Sequence, residues 1–271
     1  MGDEMGEARR RQKRIKELIK EGTCCVICGG GRPADTVEHI PPRVFFINKY
    51  RPRSHEVPAC KRCNYQSADA DQIAALVCLS MAGFSRTKVP EDYFRKIATG
   101  VRKHHPAAYR YFAAGDAESI YPSGILYTRP IAVKVKVDDR LWTKYLNPWA
   151  AKQAVAIYYT LSETALPETG SVDVRWFPND QLLRHRGLID FARKLGGEGA
   201  LRMGKFDTSN QFFYRYEYFE ESGLLVLCCG MHESSMMIAF VNHSAEARRG
   251  RPALRGFAQF RPDPHYGILG V

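Results

Sequence analysis

The chain has 271 residues, of which 45% are hydrophobic and 25% are charged, a composition that excludes a disordered protein. Its formal net charge of +11 favours a polyanionic partner such as nucleic acid. The longest apolar runs are too short to span a bilayer, and no signal peptide is recognisable, so we expect a cytoplasmic protein without a membrane partner.

A basic helix is predicted for residues 1–22. Ile15, Leu18 and Ile19 recur at helical spacing, and Gly22 is typical of a helix C-terminus. The run from Arg9 to Lys16 is rich in arginine and lysine. Such a run is suited to gripping phosphates, or it forms a solvated face of the helix.

Two Cys-x2-Cys pairs follow, and together they can supply four thiolates in the tetrahedral array of a structural zinc site. The chain has 8 cysteines, and this spacing in a long chain favours a metal site in a reducing compartment over disulfides. Cys24 could compete as a ligand, but the two-residue gap to Cys28 favours Cys25. The predicted Zn²⁺ ligands are Cys25, Cys28, Cys60 and Cys63.

Short strands are expected between and beside the cysteine pairs. Residues 36–40 form the first strand. It ends in Glu38-His39, because the prolines that follow cannot continue a β-ladder. Residues 57–60 return as the second strand. From about Ala68 the apolar residues recur in steps of three and four, which predicts a helix.

The order Cys-x2-Cys, Glu-His-Ile-Pro-Pro and Cys-x2-Cys-Asn resembles the zinc-stapled branch of the HNH endonucleases over roughly residues 23–75. The resemblance implies a treble-clef-like ββα-metal fold that carries the active site. It implies that His39 is the general base acting on water, and that Glu38 and Asn64 are catalytic residues holding Mg²⁺ or Mn²⁺. The third position of the motif has no clear match, and among Asp69, Asp71 and Gln72 we choose Asp71.

These residue types suit phosphodiester hydrolysis. An imidazole titrates near neutrality, so it can accept a proton from water. A hard divalent cation with oxygen ligands stabilises the charge that develops on the phosphate and the leaving oxygen. Because thiolates prefer zinc whereas carboxylates and amides prefer magnesium or manganese, the two metals would occupy different sites.

Basic residues mixed with aromatic ones fill the loop from Arg43 to Glu56. Such a mixture suits phosphate contact and base stacking, although Phe45 and Phe46 are more typical of packing against the zinc site. The candidate nucleic-acid contacts are Arg43, Arg51, Arg53, Lys61 and Arg62.

The rest of the chain predicts an α+β domain with a mainly antiparallel sheet and flanking helices. Alternating sequence indicates strands near residues 131–137, 172–176, 211–219, 223–229 and 235–242. The aromatic residues of the strand at 211–219 could stack nucleic-acid bases, or they could form part of the core beneath helices. The predicted organisation is a basic helix (1–22), an HNH module (23–83) and a C-terminal domain (84–271).

The sequence therefore predicts a metal-dependent HNH endonuclease that cleaves DNA and leaves 5′-phosphate and 3′-hydroxyl ends. RNA is the alternative substrate, and a homodimer is left open. Resemblance alone suggests a setting in restriction or phage defence. The alternative function is a zinc-stabilised nucleic-acid-binding protein without cleavage activity.

Overall fold

The computed structural model describes residues 9, 12–47, 56–82, 89–113, 117–120, 132–135, 138–178, 181–182, 186–200, 202–203, 206–248 and 254–270. The fold is mixed α+β, with helices flanking a seven-stranded antiparallel sheet. Among the described helices, none combines the length and the apolar character needed to cross a bilayer. Arg51 and Arg53, two predicted nucleic-acid contacts, lie outside the described residues.

The cysteine segment, residues 23–47 and 56–82, contains a small sheet and a long helix. Helix α1 (12–18) precedes it. Strands β1 (Thr36–His39) and β2 (Glu56–Ala59) pair in antiparallel fashion, and helix α2 (Lys61–Ala82) follows directly. The helix begins earlier than its apolar spacing indicates, because the Lys61 N–H donates to Asp35 Oδ1 at 2.6 Å and this bond caps its first turn.

Short helices and a hairpin lead from the cysteine segment to a central helix. Pro148 lies at the start of that helix, directly after a π-helical turn, and its missing N–H removes one backbone hydrogen bond from a continuous helical stretch. The elements are α3 (Glu91–His104), α4 (Pro106–Ala113), β3 (Ala117–Ile120), β4 (Ala132–Val135), α5 (Asp139–Leu141), a π-helical turn (Trp142–Leu146) and α6 (Asn147–Ser162).

The large sheet has the strand order β13-β12-β5-β11-β10-β9-β6, and every described pairing in it is antiparallel. Its strands are β5 (Ser171–Phe177), β6 (Gly197–Ala200), β9 (Phe212–Phe219), β10 (Leu224–Met231), β11 (Ser235–Asn242), β12 (Ala258–Asp263) and β13 (Gly267–Gly270). A separate pair, β7 (Arg202–Met203) and β8 (Phe206–Asp207), and the helices α7 (Arg186–Lys194) and α8 (Ala245–Arg248) complete the described strands and α-helices.

Helix α6 lies between the cysteine segment and the large sheet. It contacts α2 and β2 on one side and β5 and β11 on the other, and every residue from Trp149 to Tyr158 is buried. One hydrophobic core therefore includes residues of both predicted domains. The boundary predicted near residue 83 falls outside the described residues.

Aromatic side chains fill this core. Phe45 and Phe46 are buried, and the Phe45 ring stacks on Trp149 with centroids 5.7 Å apart, so these two residues pack rather than face solvent. On β9, Phe212 and Tyr214 are buried, whereas Phe213 and Phe219 are exposed. The buried aromatic residues of that strand therefore belong to the core.

Candidate metal centre and neighbouring polar sites

The four predicted zinc ligands lie together. The first pair, Cys25 and Cys28, lies in a turn. Two hydrogen bonds hold this turn: the Cys25 N–H donates to the Arg32 carbonyl at 2.8 Å, and the Gly30 N–H donates to the Cys25 carbonyl at 2.9 Å. The second pair flanks the start of α2. The sulfur atoms of Cys25, Cys28, Cys60 and Cys63 all lie within 4.8 Å of one another, and all four residues are buried.

This cluster fits a metal ion. Zinc–sulfur bonds of about 2.3 Å in a tetrahedron place the sulfurs about 3.8 Å apart, a separation compatible with the observed cluster. Hydrogen bonds from Cys28 and Cys63 lower the pKa of Cys25, and the same contacts raise the pKa of Cys28 and of Cys63. Because full deprotonation of four crowded thiols is unfavourable without a counter-charge, a cation such as zinc is the natural occupant.

The hairpin β12–β13 covers part of this cluster. Gly267 has a φ of +82°, and a Cβ there would lie 3.3 Å from the Cys63 sulfur. Only glycine adopts this conformation readily at so close an approach. The C-terminal hairpin thus shields the cysteines, a contact that the spacing of the cysteines does not reveal.

Glu38 and His39 point to opposite sides of β1, as adjacent residues of a strand must. Glu38 is buried, whereas the His39 side chain is 39% exposed. The His39 Nδ1 lies 3.3 Å from Glu56 Oε1 on the paired strand. Arg14 of α1 approaches the same carboxylate, with its Nε 3.7 Å from Glu56 Oε2. The exposed face of the small sheet therefore carries an imidazole, a carboxylate and a guanidinium in contact.

On the buried side, a lysine of α6 reaches the Glu38 carboxylate. The Lys152 Nζ donates to Glu38 Oε1 at 3.1 Å and to Asp71 Oδ1 at 2.6 Å. The three side chains are 3%, 5% and 12% exposed respectively. A buried ion-paired network of one ammonium and two carboxyl groups thus joins α6 to β1 and α2.

Burial and attraction compete at this network. Burial outweighs the attraction of Lys152, and it raises the pKa of Glu38 to about 7 and also raises the pKa of Asp71. Burial alone would lower the pKa of Lys152, but Asp71 and Glu38 outweigh it and raise that pKa instead. The lysine is therefore charged, and its ammonium faces two carboxyl groups whose burial favours the protonated form.

Asn64 fastens α2 to β1. Its Nδ2 donates to the Val37 carbonyl at 3.2 Å and to Thr36 Oγ1 at 3.3 Å. Its backbone N–H donates to the Cys60 carbonyl at 3.1 Å. The amide hydrogens are thus used to position the strand that carries Glu38 and His39.

Magnesium bound as the resemblance implies does not fit these contacts. Glu38 and Asp71 already bind an ammonium, and both are almost fully buried. Magnesium gives up its water reluctantly and usually keeps several water ligands, which this enclosed position would have to admit. The Glu38 Oε2 is buried and has no hydrogen-bond partner among the described residues.

The described nucleic-acid candidates lie on the surface. Arg43 is exposed in the turn Arg43–Phe45, and Lys61 and Arg62 are exposed at the start of α2. Lys61 also pairs with Asp35, with Nζ 3.8 Å from Oδ2. These cations and Arg14 lie on or beside the cysteine segment.

Sequence reasoning missed Lys152. Its signal is a polar pair, Lys152-Gln153, inside a run of small and apolar residues from Ala150 to Ile157. A lysine in such a run is rarely left without a charged partner.

Comparison with protein-family models, with curated proteins and with solved structures finds no match to this chain.

Proposed function

We propose that the protein is an HNH-type endonuclease that hydrolyses phosphodiester bonds in DNA and leaves 5′-phosphate and 3′-hydroxyl ends. One observation carries the proposal: His39 ends β1 of the cysteine segment, and its partly exposed ring lies against the Glu56 carboxylate. A ring that served only packing would not need this exposure or this partner.

In this proposal His39 is the general base. Its Nδ1 faces Glu56, so the other ring nitrogen, Nε2, would take the proton from the attacking water. Glu56 would hold the ring in the required tautomer and orientation. Arg14, which shares that carboxylate, would contact the phosphate, as would the exposed Arg43, Lys61 and Arg62.

A zinc ion held by the four cysteines would have a structural role. It would fasten the turn that carries Cys25 to the start of α2, and α2 holds β1 through Asn64. The ion would thereby support the strand end on which His39 lies. Magnesium takes no part in these steps, because the carboxyl groups that the resemblance assigns to it bind Lys152.

The test is a nicking assay with supercoiled plasmid and purified zinc-loaded protein. We expect the wild type to nick the plasmid and His39→Ala to be slower by about 10²- to 10⁴-fold, the usual contribution of a general base. His104→Ala is the matched control, because His104 is exposed at the end of α3, and it should cut at the wild-type rate. Equal nicking by the wild type and His39→Ala would refute the proposal.

The second candidate is a zinc-stabilised nucleic-acid-binding protein that does not cleave. The Lys152 network favours it, since that network engages two carboxyl groups that a metal-dependent nuclease would need. A protein that binds DNA, as measured by fluorescence anisotropy, yet leaves it intact with or without added magnesium or manganese would support this candidate. The proposed setting for either function is restriction or phage defence.

A further inference from the structure

Three ionisable side chains from three separate elements meet in the interior. Glu38 comes from β1, Asp71 from α2 and Lys152 from α6. The ammonium donates to one oxygen of each carboxyl group. Two carboxyl groups brought together around one positive charge form the arrangement with which proteins bind a cation, and here the cation is a side chain.

We infer that Lys152 is the resident cation of this site: its ammonium takes the position between Glu38 and Asp71, so these carboxyl groups bind no divalent metal ion. The metal-binding part of the inference stands by itself. Its consequence for catalysis rests on the proposed function, because it predicts DNA cleavage without a metal ion held by Glu38.

The electrostatics of the site support this inference. A divalent ion bound to both carboxyl groups would lie within a few ångströms of the ammonium, and repulsion between like charges is strong at such separations in a poorly solvated interior. The ion would also have to shed its water to enter a site whose side chains are 3–12% exposed. The lysine avoids this repulsion, and its hydrogen bonds to both carboxyl groups offset the desolvation of its ammonium.

The arrangement also has a mechanical consequence. Helix α6 packs on β5 and β11 of the large sheet, and Lys152 extends from it to β1 and α2. Besides its pairing with β2, the strand that carries His39 is therefore held by side chains of two helices, the Asn64 amide of α2 and the Lys152 ammonium of α6. Lys152 acts on His39 only through β1, so it is a positioning residue.

Manganese binding tests the inference, with Mn²⁺ itself as the probe. Free Mn²⁺ is measured by electron paramagnetic resonance during titration of full-length, zinc-loaded wild type, Glu38→Gln and Asp71→Asn. Asp35→Asn is the matched control, because Asp35 is an exposed acid of the same segment that pairs with a surface lysine. We expect the wild type and all three variants to bind Mn²⁺ equally weakly.

A wild type that binds one Mn²⁺ ion, with affinity reduced tenfold or more by Glu38→Gln or Asp71→Asn but not by Asp35→Asn, would overturn the inference. Lys152→Met provides a second measurement. Loss of the ammonium should create a Mn²⁺ site that adding Glu38→Gln abolishes, and a folded Lys152→Met protein without such a site would also contradict the inference.

If Lys152→Met does not fold, the wild-type titrations decide alone. The readout is metal binding, so its outcome is independent of whether the protein cuts DNA. A protein that fails the nicking assay but binds no manganese at Glu38 would contradict the proposed function and leave this inference standing.

Discussion

The Lys152 Nζ lies 2.6 Å from Asp71 Oδ1, across the contact between α6 and α2. These residues are separated by 81 positions in the chain, and both are buried. Together with Glu38, this ion pair connects the cysteine segment to helix α6 within an otherwise apolar interface. Buried charges are tolerated only when they are paired, so removal of one partner should lower the free energy of unfolding of the whole protein.

Lys152→Met should therefore destabilise the protein strongly. It removes the counter-charge of two buried carboxyl groups, and breaking a buried pair in this way typically costs about 3–5 kcal/mol. Lys61→Met is the matched control: it breaks an exposed pair with Asp35 and should cost less than about 1 kcal/mol. Urea unfolding measures both.

The triple variant Lys152→Met, Glu38→Gln, Asp71→Asn should recover much of the loss, since it leaves no unpaired charge in the interior. A Lys152→Met protein as stable as Lys61→Met would contradict the buried network.

The four-cysteine cluster should hold one zinc ion per chain and contribute to folding. Cys60→Ser should lose the zinc and lower the unfolding midpoint by many degrees, because the binding energy of a structural metal is folding energy. Cys24→Ser is the control, since Cys24 adjoins a ligand but lies outside the cluster. Elemental analysis measures the zinc content per chain, and thermal unfolding measures the midpoint. Equal zinc contents in the two variants would argue against a zinc site.

Acid should destabilise the protein through His232. Its ring is fully buried, with Nε2 3.0 Å from the Phe45 carbonyl, and burial lowers its pKa to about 4. Between this value and the unfolded value of about 6.5 the unfolded chain binds more protons. The free energy of unfolding therefore falls as the pH decreases through this window, by up to about 3 kcal/mol.

His232→Gln keeps an amide donor for the Phe45 carbonyl and removes the titration. Its free energy of unfolding, measured in urea from pH 7 to pH 4, should decrease less steeply than that of the wild type. Parallel curves for the two proteins would show that another group is responsible for the acid sensitivity.

If His39 is the base, Glu56→Gln should slow DNA cleavage without weakening DNA binding. The amide can no longer provide the negative charge that stabilises the protonated ring, and we expect the nicking rate at saturating DNA to fall by about tenfold or more. Glu91→Gln, which changes an exposed acid of α3, is the control. Equal rates for the two variants would leave Glu56 without a part in the reaction.

The four-cysteine cluster could be predicted from the sequence because each Cys-x2-Cys pair is local. The alternation that predicts β9, β10 and β11 is local as well, and the structure confirms these strands close to their expected bounds. The start of α2 was missed because it depends on Asp35, a capping residue from before β1. A spacing pattern does not contain such a contact.

The contacts of Lys152 could not be derived in the same way. Glu38 is separated from it by 114 positions, and a helical pattern indicates only which face is apolar. Helix α6 is buried from Trp149 to Tyr158, between the sheet on one side and the cysteine segment on the other. Only this enclosure brings the lysine to the two carboxyl groups.

Lys152, rather than a divalent ion, lies between Glu38 and Asp71. Anomalous diffraction from manganese-soaked crystals of the zinc-loaded protein, recorded on both sides of the zinc absorption edge, tests this assignment directly. We expect a zinc peak among the sulfurs of Cys25, Cys28, Cys60 and Cys63, and density for the ammonium between the two carboxyl groups. A manganese peak bonded to Glu38 and Asp71, with Lys152 displaced, would contradict it.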